Sequence, residues 1–150
     1  MTNVYPAVFV TGATGVVGSH LLYYLVKDGN KVLALKREQS NINETLSLFE
    51  QYENGKEYWN QVEWVTGNVL IPETLETHIE SADKIYHCAA VVSFSGSDKN
   101  ILSETNLRGT ENVAQLCLKY KKRLCHVSSI AALGDAVKPE QLIDEETPDI

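Results

Sequence analysis

The chain has 150 residues, of which 43% are hydrophobic and 22% charged, enough apolar material for one globular domain with a buried core. Its formal net charge of −7 argues against nucleic acid or an anionic membrane as a partner, because both favour basic surfaces. No apolar run approaches the ~18 residues that cross a bilayer, and the first residues lack a signal pattern. We therefore expect a cytoplasmic protein.

Five short apolar runs, rich in β-branched residues, recur along the chain, and segments with helical features lie between them. The runs are Ala7–Thr11, Lys31–Leu35, Val62–Thr66, Lys84–Ala89 and Arg123–Ser128. Near-continuous apolar runs of this length are typical of strands that are buried on both faces of a parallel sheet. With right-handed crossovers, the alternation predicts an α/β fold, a doubly wound Rossmann sheet of five parallel strands in the order 3-2-1-4-5.

The segments between the runs carry helix signals. After the first run, an apolar stripe with a glycine at the expected helix end predicts a helix with these inward residues: Val17, Leu21, Leu25 and Val26. The longest candidate extends from Ile101 to Tyr120, with these residues expected inward: Leu107, Val113, Leu116 and Cys117.

His87-Cys88 and Cys125-His126 are the arrangement most suggestive of a metal site. Successive side chains of a strand point to opposite faces, so these four side chains cannot converge on one ion. Three cysteines in a chain without a secretion signal indicate reduced thiols. We expect no metal.

A glycine-rich turn, Thr11–Gly18, joins the first predicted strand to the first predicted helix. Gly12 permits the tight turn, Gly15 allows a pyrophosphate to approach the backbone, and Gly18 allows the helix to pack closely on the sheet. The free amides and the dipole at the start of the helix favour phosphate. The position between strand and helix therefore predicts a dinucleotide-binding turn.

Lys36 and Arg37 stand at the end of the second predicted strand, where NAD-binding proteins carry an acidic residue that binds the ribose hydroxyls. A guanidinium and an ammonium can instead neutralise a 2′-phosphate. The pair predicts a preference for NADP(H) over NAD(H).

Five segments, in the right order, resemble motifs of the extended short-chain dehydrogenase/reductase family, which includes nucleotide-sugar epimerases and dihydroflavonol-reductase-like enzymes. The segments are the turn Thr11–Gly18, Gly67-Asn68-Val69, His87-Cys88-Ala89-Ala90, the N-x-x-G-T-x-N segment 106–112, and Val127-Ser128-Ser129 followed by Leu133-Gly134. Asn68 departs from the family pattern, which has an acidic residue that reaches the adenine amino group. An amide can still donate or accept there.

The resemblance implies that Ser129 is the catalytic serine, with Ser128 as the adjacent alternative, and that Asn106 holds backbone near the site. It also implies a small-molecule substrate with a carbonyl or secondary alcohol. Together with the glycine turn and the cation pair, the resemblance predicts a set of cofactor-binding residues: Gly12, Thr14, Gly15, Val16, Val17, Gly18, Lys36, Arg37, Asn68, Val69, Cys88, Ala89, Ala90, Asn106 and Ser128.

The family's general acid/base is a tyrosine with a lysine four residues on, about 25 residues after the serine. Two pairs inside the chain imitate it, Tyr23 with Lys27 and Tyr52 with Lys56, but both precede the serine strand. We therefore expect residues 1–150 to be a dinucleotide-binding domain that ends before the tyrosine–lysine helix and the substrate lobe, and to be inactive alone.

These features favour the cofactor-binding portion of an NADP-dependent oxidoreductase. Two alternatives stay open at this point: an NAD-dependent nucleotide-sugar epimerase or dehydratase, and a non-catalytic dinucleotide sensor like the NmrA-type regulators. The sequence does not identify the substrate. It also leaves the oligomeric state open, and a homodimer of the parent protein is one of the alternatives.

Overall fold

Five parallel strands form the centre of the molecule in a computed structural model, which describes residues 7–93, 95–133, 142–144 and 147. The strands are β1 (Ala7–Thr11), β2 (Lys31–Lys36), β3 (Val62–Thr66), β4 (Lys84–His87) and β5 (Arg123–His126). Their order is β3-β2-β1-β4-β5, and every neighbouring pair is parallel. The predicted Rossmann topology is confirmed.

Helices cover both faces of this sheet. They are α1 (Val16–Lys27), α2 (Asn43–Phe49), α3 (Gly55–Trp59), α4 (Glu76–Ser81), α5 (Lys99–Leu102) and α6 (Gly109–Lys119). A π-helical segment, Ser103–Arg108, joins α5 to α6 without a break. Short 3-10 turns occur at Pro72–Thr74, Gly96–Asp98 and Ile130–Leu133.

The core has two parts because alternate strand residues point to opposite faces. Val8 and Val10 of β1 pack in one cluster with residues of α1 and α2, and Phe9 packs in the other with residues of α4 and α6. All three are at most 3% exposed. This period of two fixes each strand's register, since a shift by one residue would reverse both faces.

Two predicted strands are shorter than their apolar runs. The fourth ends at His87 instead of Ala89, and the fifth ends at His126 instead of Ser128. One further hydrogen bond follows each strand, from Cys88 N–H to Thr11 O at 3.2 Å and from Val127 N–H to His87 O at 3.0 Å. After these bonds, the backbone leaves the sheet and lines a crevice. The apolar residues of each run therefore continue past the last residue that pairs with a neighbouring strand.

In each of two helices, one residue that was predicted to face inward is exposed. Val17 is 54% exposed and Leu107 is 66% exposed, whereas Val113, Leu116 and Cys117 are buried as predicted. Val17 lies in the first turn of α1, which faces the crevice instead of the sheet. Leu107 belongs to the π-helical segment, whose wider turn changes the angular positions that a regular helix predicts.

Gly29 ends α1 as predicted. It has a φ of +83°, which favours glycine, and its N–H donates to Val26 O at 2.8 Å. In the part of the chain that the structure describes, no helix is long and apolar enough to cross a membrane.

Candidate functional site

Two adjoining hollows open at the carboxyl ends of the strands. The first has a volume of about 300 Å³ and is lined by residues that follow β1, β2, β3 and β4; the second, of about 910 Å³, is lined by the start of α1 and by residues that follow β4 and β5. Both are lined by Gly15 and by residues 88–91, so they form one crevice. Among the described residues that line it, none is acidic.

All of the predicted site residues that the structure describes line one hollow or the other. The first hollow has Gly12, Thr14, Gly15, Lys36, Arg37, Asn68, Val69, Cys88, Ala89 and Ala90. The second has Gly15, Val16, Val17, Gly18, Cys88, Ala89, Ala90, Asn106, Ser128 and Ser129. Gly134, the last residue of the fifth motif, lies outside the described residues.

The glycine turn is packed against the backbone that follows β4. Gly12 has a φ of +67°, and a Cβ there would lie 2.5 Å from the carbonyl carbon of Cys88. A Cβ on Gly18 would lie 2.2 Å from Gly12 O. Real side chains cannot occupy either position without moving backbone, so these two glycines are required by packing alone.

Gly15 differs, because it is exposed and a Cβ there would meet only Gly12 O, at 3.3 Å. Its own N–H donates to Gly12 O at 3.0 Å, and its carbonyl accepts the first helical hydrogen bond, from Ser19 N–H. The N–H groups of Val16, Val17 and Gly18 therefore have no acceptor within the helix. They form a cluster of donors at the crevice, and the first turn of α1 contains no acidic residue.

Lys36 and Arg37 line the first hollow at the end of β2, together with Ser40. Ser40 N–H donates to Arg37 O at 3.0 Å, and Arg37 N–H donates to the Ser40 hydroxyl at 3.2 Å, so a tight turn brings the hydroxyl beside the cation pair. Among the ion pairs of the described residues, none involves Lys36 or Arg37. Sequence reasoning missed Ser40, although its place three residues after Arg37 was a usable signal.

Asn68 and Val69 lie in the loop after β3. The side-chain oxygen of Asn68 accepts from Leu70 N–H at 3.0 Å, and its backbone N–H donates to the Thr74 hydroxyl at 3.0 Å. Val69 is 7% exposed and packs against Gly109, where a Cβ would lie 2.8 Å from Val69 Cγ2. Its side chain therefore belongs mainly to the core, and its backbone borders the crevice.

Asn106 holds the loop that follows β4. Its side chain accepts from Val91 N–H at 2.7 Å and donates to Val91 O at 2.9 Å. Asn112, six residues further along the same helix, donates to Val69 O at 2.9 Å. One helical segment thus contacts two of the loops that border the first hollow, those after β3 and β4.

His87 lies beneath the crevice and is fully buried. Its Nδ1 is 2.6 Å from the Thr11 hydroxyl, and its Nε2 is 2.9 Å from the Thr110 hydroxyl. Burial, together with the nearby His126, lowers the pKa of His87 to about 4, so the ring is neutral at physiological pH. The sequence indicated the histidine, but not the two threonines that hold it.

Cys88 lines both hollows, but its thiol is a poor nucleophile. Burial and the neighbouring Cys125 raise its pKa to about 11, so the thiolate is scarce at neutral pH. The rings of His87 and His126 are stacked, with centroids 5.2 Å apart. Among the described residues, no group of three or more His, Cys, Asp or Glu could hold a metal ion.

Neither internal tyrosine–lysine pair lies in the crevice lining. Tyr23 is buried, and its hydroxyl donates to Glu53 O at 3.0 Å. Tyr52 stacks on Tyr23 with ring centroids 4.1 Å apart, and its hydroxyl is 2.5 Å from His20 Nδ1. Both rings pack among the aromatic side chains that join α1, α2 and α3 on one face of the sheet.

Known proteins with similar sequences share one family. The NAD-binding family described as "Male sterility protein" matches residues 10–148. A putative dihydroflavonol 4-reductase of Synechocystis sp. is 31% identical over 127 residues, which are 84% of this chain and 33% of that protein. Other similar proteins carry the names of decarboxylases, ketoreductases and dehydratases.

Solved structures of low sequence identity share the fold. The terminal R domain from the myxalamid PKS-NRPS biosynthetic pathway has a TM-score of 0.80 at 23% identity and covers 100% of this chain and 40% of its own. The Bordetella bronchiseptica enzyme WbmH, in complex with NAD⁺, has a TM-score of 0.75 at 24% identity, over 97% of this chain and 46% of its own. The chain spans about a third of the length of the curated relatives it matches.

Proposed function

Because the chain belongs to the NAD-binding family described as "Male sterility protein", and with it to the extended short-chain dehydrogenases/reductases, we propose that its crevice holds NADP(H) in preference to NAD(H). The observation that carries this proposal is the pair Lys36 and Arg37 in the wall of the first hollow, beside the Ser40 hydroxyl. Both cations lack an ion-pair partner among the described residues. A 2′-phosphate would supply a negatively charged partner for both side chains.

The rest of the crevice fits a dinucleotide. The donors of Val16, Val17 and Gly18 suit a pyrophosphate, and the open side of Gly15 leaves room for it. The adenosine half would then lie in the first hollow, between the cation pair and Asn68, and the nicotinamide half in the second hollow. The absence of acidic residues from the described lining agrees with an anionic ligand.

The reaction we propose is that of an oxidoreductase whose substrate carries a carbonyl or a secondary alcohol. The bound nicotinamide would supply or accept the hydride. Ser129, exposed after β5 in the lining of the second hollow, would hold the substrate oxygen by a hydrogen bond. His87, neutral and held by Thr11 and Thr110, would fix the end of β4 under the ligand without taking part in proton transfer.

Calorimetric titration with NADP⁺ and NAD⁺ tests the cofactor preference. We expect NADP⁺ to bind more tightly by about 1–3 kcal/mol, the range for charge-assisted contacts to one phosphate. Arg37→Ala should remove most of that difference while leaving NAD⁺ binding nearly unchanged. Arg123→Ala is the matched control, because it removes the same charge at the start of β5, away from the crevice lining.

Equal affinities of the unmodified chain for the two cofactors would overturn the NADP(H) preference while leaving dinucleotide binding intact. Failure to bind either cofactor, in a chain whose circular dichroism shows the native fold, would overturn the proposed function as a whole.

A further inference from the structure

Tyr52 and His20 form a hydrogen bond that the proposed function does not use. Tyr52 lies in the connection between α2 and α3, His20 lies on α1, and the Tyr52 hydroxyl is 2.5 Å from His20 Nδ1. Both residues are half-buried, and neither lines the crevice. Burial, followed by the nearby Tyr24 and Tyr23, raises the pKa of Tyr52 above its ordinary value. The phenol therefore keeps its proton at neutral pH and can donate it to Nδ1, which accepts when the ring proton is on Nε2.

A base at this place changes how easily the phenol is oxidised. Removal of one electron turns a phenol into a strong acid, so the electron leaves readily where a base takes the proton at the same time. Imidazole is a stronger base than a carboxylate, and a peptide carbonyl is hardly a base at all. A tyrosine that donates to a histidine is therefore easier to oxidise than one that donates to either of these groups.

Among the described tyrosines, Tyr52 alone has a recorded hydrogen bond to a histidine. Tyr23 donates to a backbone carbonyl at 3.0 Å, and Tyr120 donates to the Glu76 carboxylate at 2.7 Å. Hydrogen bonds from Lys119 and Tyr120 lower the pKa of Glu76, so its carboxylate is a weak base. The hydrogen-bond partners therefore favour Tyr52 as the tyrosine that loses an electron and a proton together.

Aromatic rings in close contact also connect Tyr52 to two tryptophans, which are readily oxidised side chains. The ring centroids are 4.1 Å apart for Tyr52 and Tyr23, 5.8 Å for Tyr23 and Phe49, 5.4 Å for Phe49 and Trp59, and 5.5 Å for Trp59 and Trp64. Electrons move rapidly between rings at such distances. An electron lost from either tryptophan can therefore be replaced from the tyrosine whose proton has a base.

We propose that Tyr52 is a site of oxidative nitration, at which a radical oxidant removes an electron while His20 Nδ1 takes the phenol proton. With nitrogen dioxide as the oxidant, one molecule takes the electron and becomes nitrite, which leaves a neutral phenoxyl radical. A second nitrogen dioxide bonds to the ring carbon beside the oxygen, and the hydrogen of that carbon moves to the oxygen, which gives 3-nitrotyrosine. His20 then releases its proton to water. This inference is independent of the proposed function.

The test is treatment of the folded chain with peroxynitrite in bicarbonate buffer, which releases nitrogen dioxide and carbonate radicals, to less than one nitro group per chain. Mass spectrometry of peptides gives the nitrated fraction of each tyrosine. Tyr52 should be nitrated about tenfold more than Tyr24, a modest share of what a positioned base contributes to proton transfer. Exposure alone predicts the opposite order, because Tyr24 is 50% exposed. In guanidinium, which removes the contact with His20, the two tyrosines should be nitrated equally.

His20→Gln keeps a hydrogen-bond acceptor but removes the base, so the nitrated fraction of Tyr52 should fall about tenfold. Free imidazole should restore nitration of Tyr52 in His20→Ala, which a purely structural role of the histidine would not explain. His78→Gln is the matched control, because it removes a half-buried histidine that stacks on Phe9, and it should leave the pattern unchanged. Near-UV circular dichroism checks that the aromatic side chains keep their packing.

Nitration that follows exposure, with Tyr24 ahead of Tyr52 in the folded chain, would overturn the proposal. An unchanged nitrated fraction of Tyr52 in His20→Gln, with a native near-UV spectrum, would overturn it as well. Both outcomes leave cofactor binding untouched, and failure of the chain to bind NADP⁺ would leave this proposal standing.

Discussion

Gly12 and Gly15 occupy the same turn, but different physical constraints act on them. Gly12 combines a φ of +67° with a backbone contact at the place of its missing Cβ, so the fold itself excludes a side chain. Gly15 has extended backbone with a φ of −82° and an exposed face toward the crevice. A side chain at Gly15 would take space from a ligand instead of from the protein.

Alanine substitutions separate these two constraints. Gly15→Ala should change the free energy of unfolding by less than about 1 kcal/mol and weaken NADP⁺ binding at least tenfold, because its methyl group meets the pyrophosphate. Gly12→Ala should destabilise the chain by about 3 kcal/mol or more, since left-handed strain adds to backbone overlap. Urea denaturation and calorimetric titration measure the two effects.

Unchanged NADP⁺ affinity in Gly15→Ala would contradict the assignment of the pyrophosphate to this turn. A native-like free energy of unfolding in Gly12→Ala would contradict the packing described for the turn.

At the level of elements, the segment formed by α5, the π-helical turn and α6 determines where two loops lie. Asn106, within the π-helical turn, holds both backbone groups of Val91, and Asn112, in α6, holds the carbonyl of Val69. Gly109 allows the same helix to approach Val69 closely. Two of the loops that border the first hollow, those after β3 and β4, are thus attached to one helical segment.

Asn106→Ala removes the two hydrogen bonds to Val91 and should lower the free energy of unfolding by about 1–2 kcal/mol. The larger effect should be local: hydrogen exchange at the Val91 amide should accelerate at least tenfold, and NADP⁺ affinity should fall. Asn100→Ala, on an exposed position of α5, is the control and should change neither quantity. If the Val91 amide stays equally protected in Asn106→Ala, the role given to Asn106 is wrong.

The sequence predicts the elements better than their ends. The cores of β1 and β2 follow from their apolar runs, because burial on both faces leaves little freedom in residue type. The edge strands β3 and β5 are largely exposed or half-buried, although their runs also predicted strands. Cys88, Ala89 and Val127 are apolar residues that follow the last paired residues of their strands and line the crevice. Hydropathy alone does not distinguish an apolar residue in a strand from one in a crevice wall. The exposure of Leu107 follows from the π-helical turn, which a period of 3.6 residues cannot describe.

For the whole molecule, the crevice could be located from sequence because the carboxyl ends of parallel strands meet at one edge of the sheet. The glycine turn, the cation pair and the motif segments predict part of its lining, whereas Leu35, Ser40 and Leu102 lie outside all of them. The contacts of Ser40 with Arg37, of Thr110 with His87 and of Asn106 with Val91 could not be predicted from sequence. They depend on the path of loops and on the π-helical turn, and no local pattern encodes either.

His87 should make the stability of the molecule depend on pH. Its pKa is about 4 in the folded chain and about 6.5 when unfolded, so the unfolded chain binds the proton first. The contribution is fully present above about pH 6.5 and is lost as the pH falls toward 4, with a slope of at most about 1.4 kcal/mol per pH unit. Urea denaturation between pH 7 and pH 4.5 should show it.

His87→Gln should flatten this part of the profile, because glutamine can hydrogen-bond to the two threonines but does not titrate. His126→Gln is the control: it leaves His87 buried, and burial is the larger cause of the lowered pKa of His87, so most of the slope should remain. A slope that survives unchanged in His87→Gln would show that other groups cause it.

The shared support of the two loops also bears on the entropy of binding. To move away from the helix, the loop that carries Val91 must break two side-chain hydrogen bonds and the loop that carries Val69 must break one, at about 1 kcal/mol each. The two walls of the first hollow that these loops form are therefore ordered when the chain folds, before any ligand arrives. Little conformational freedom is left for a ligand to remove, so the preorganised crevice can convert more of its contact energy into affinity.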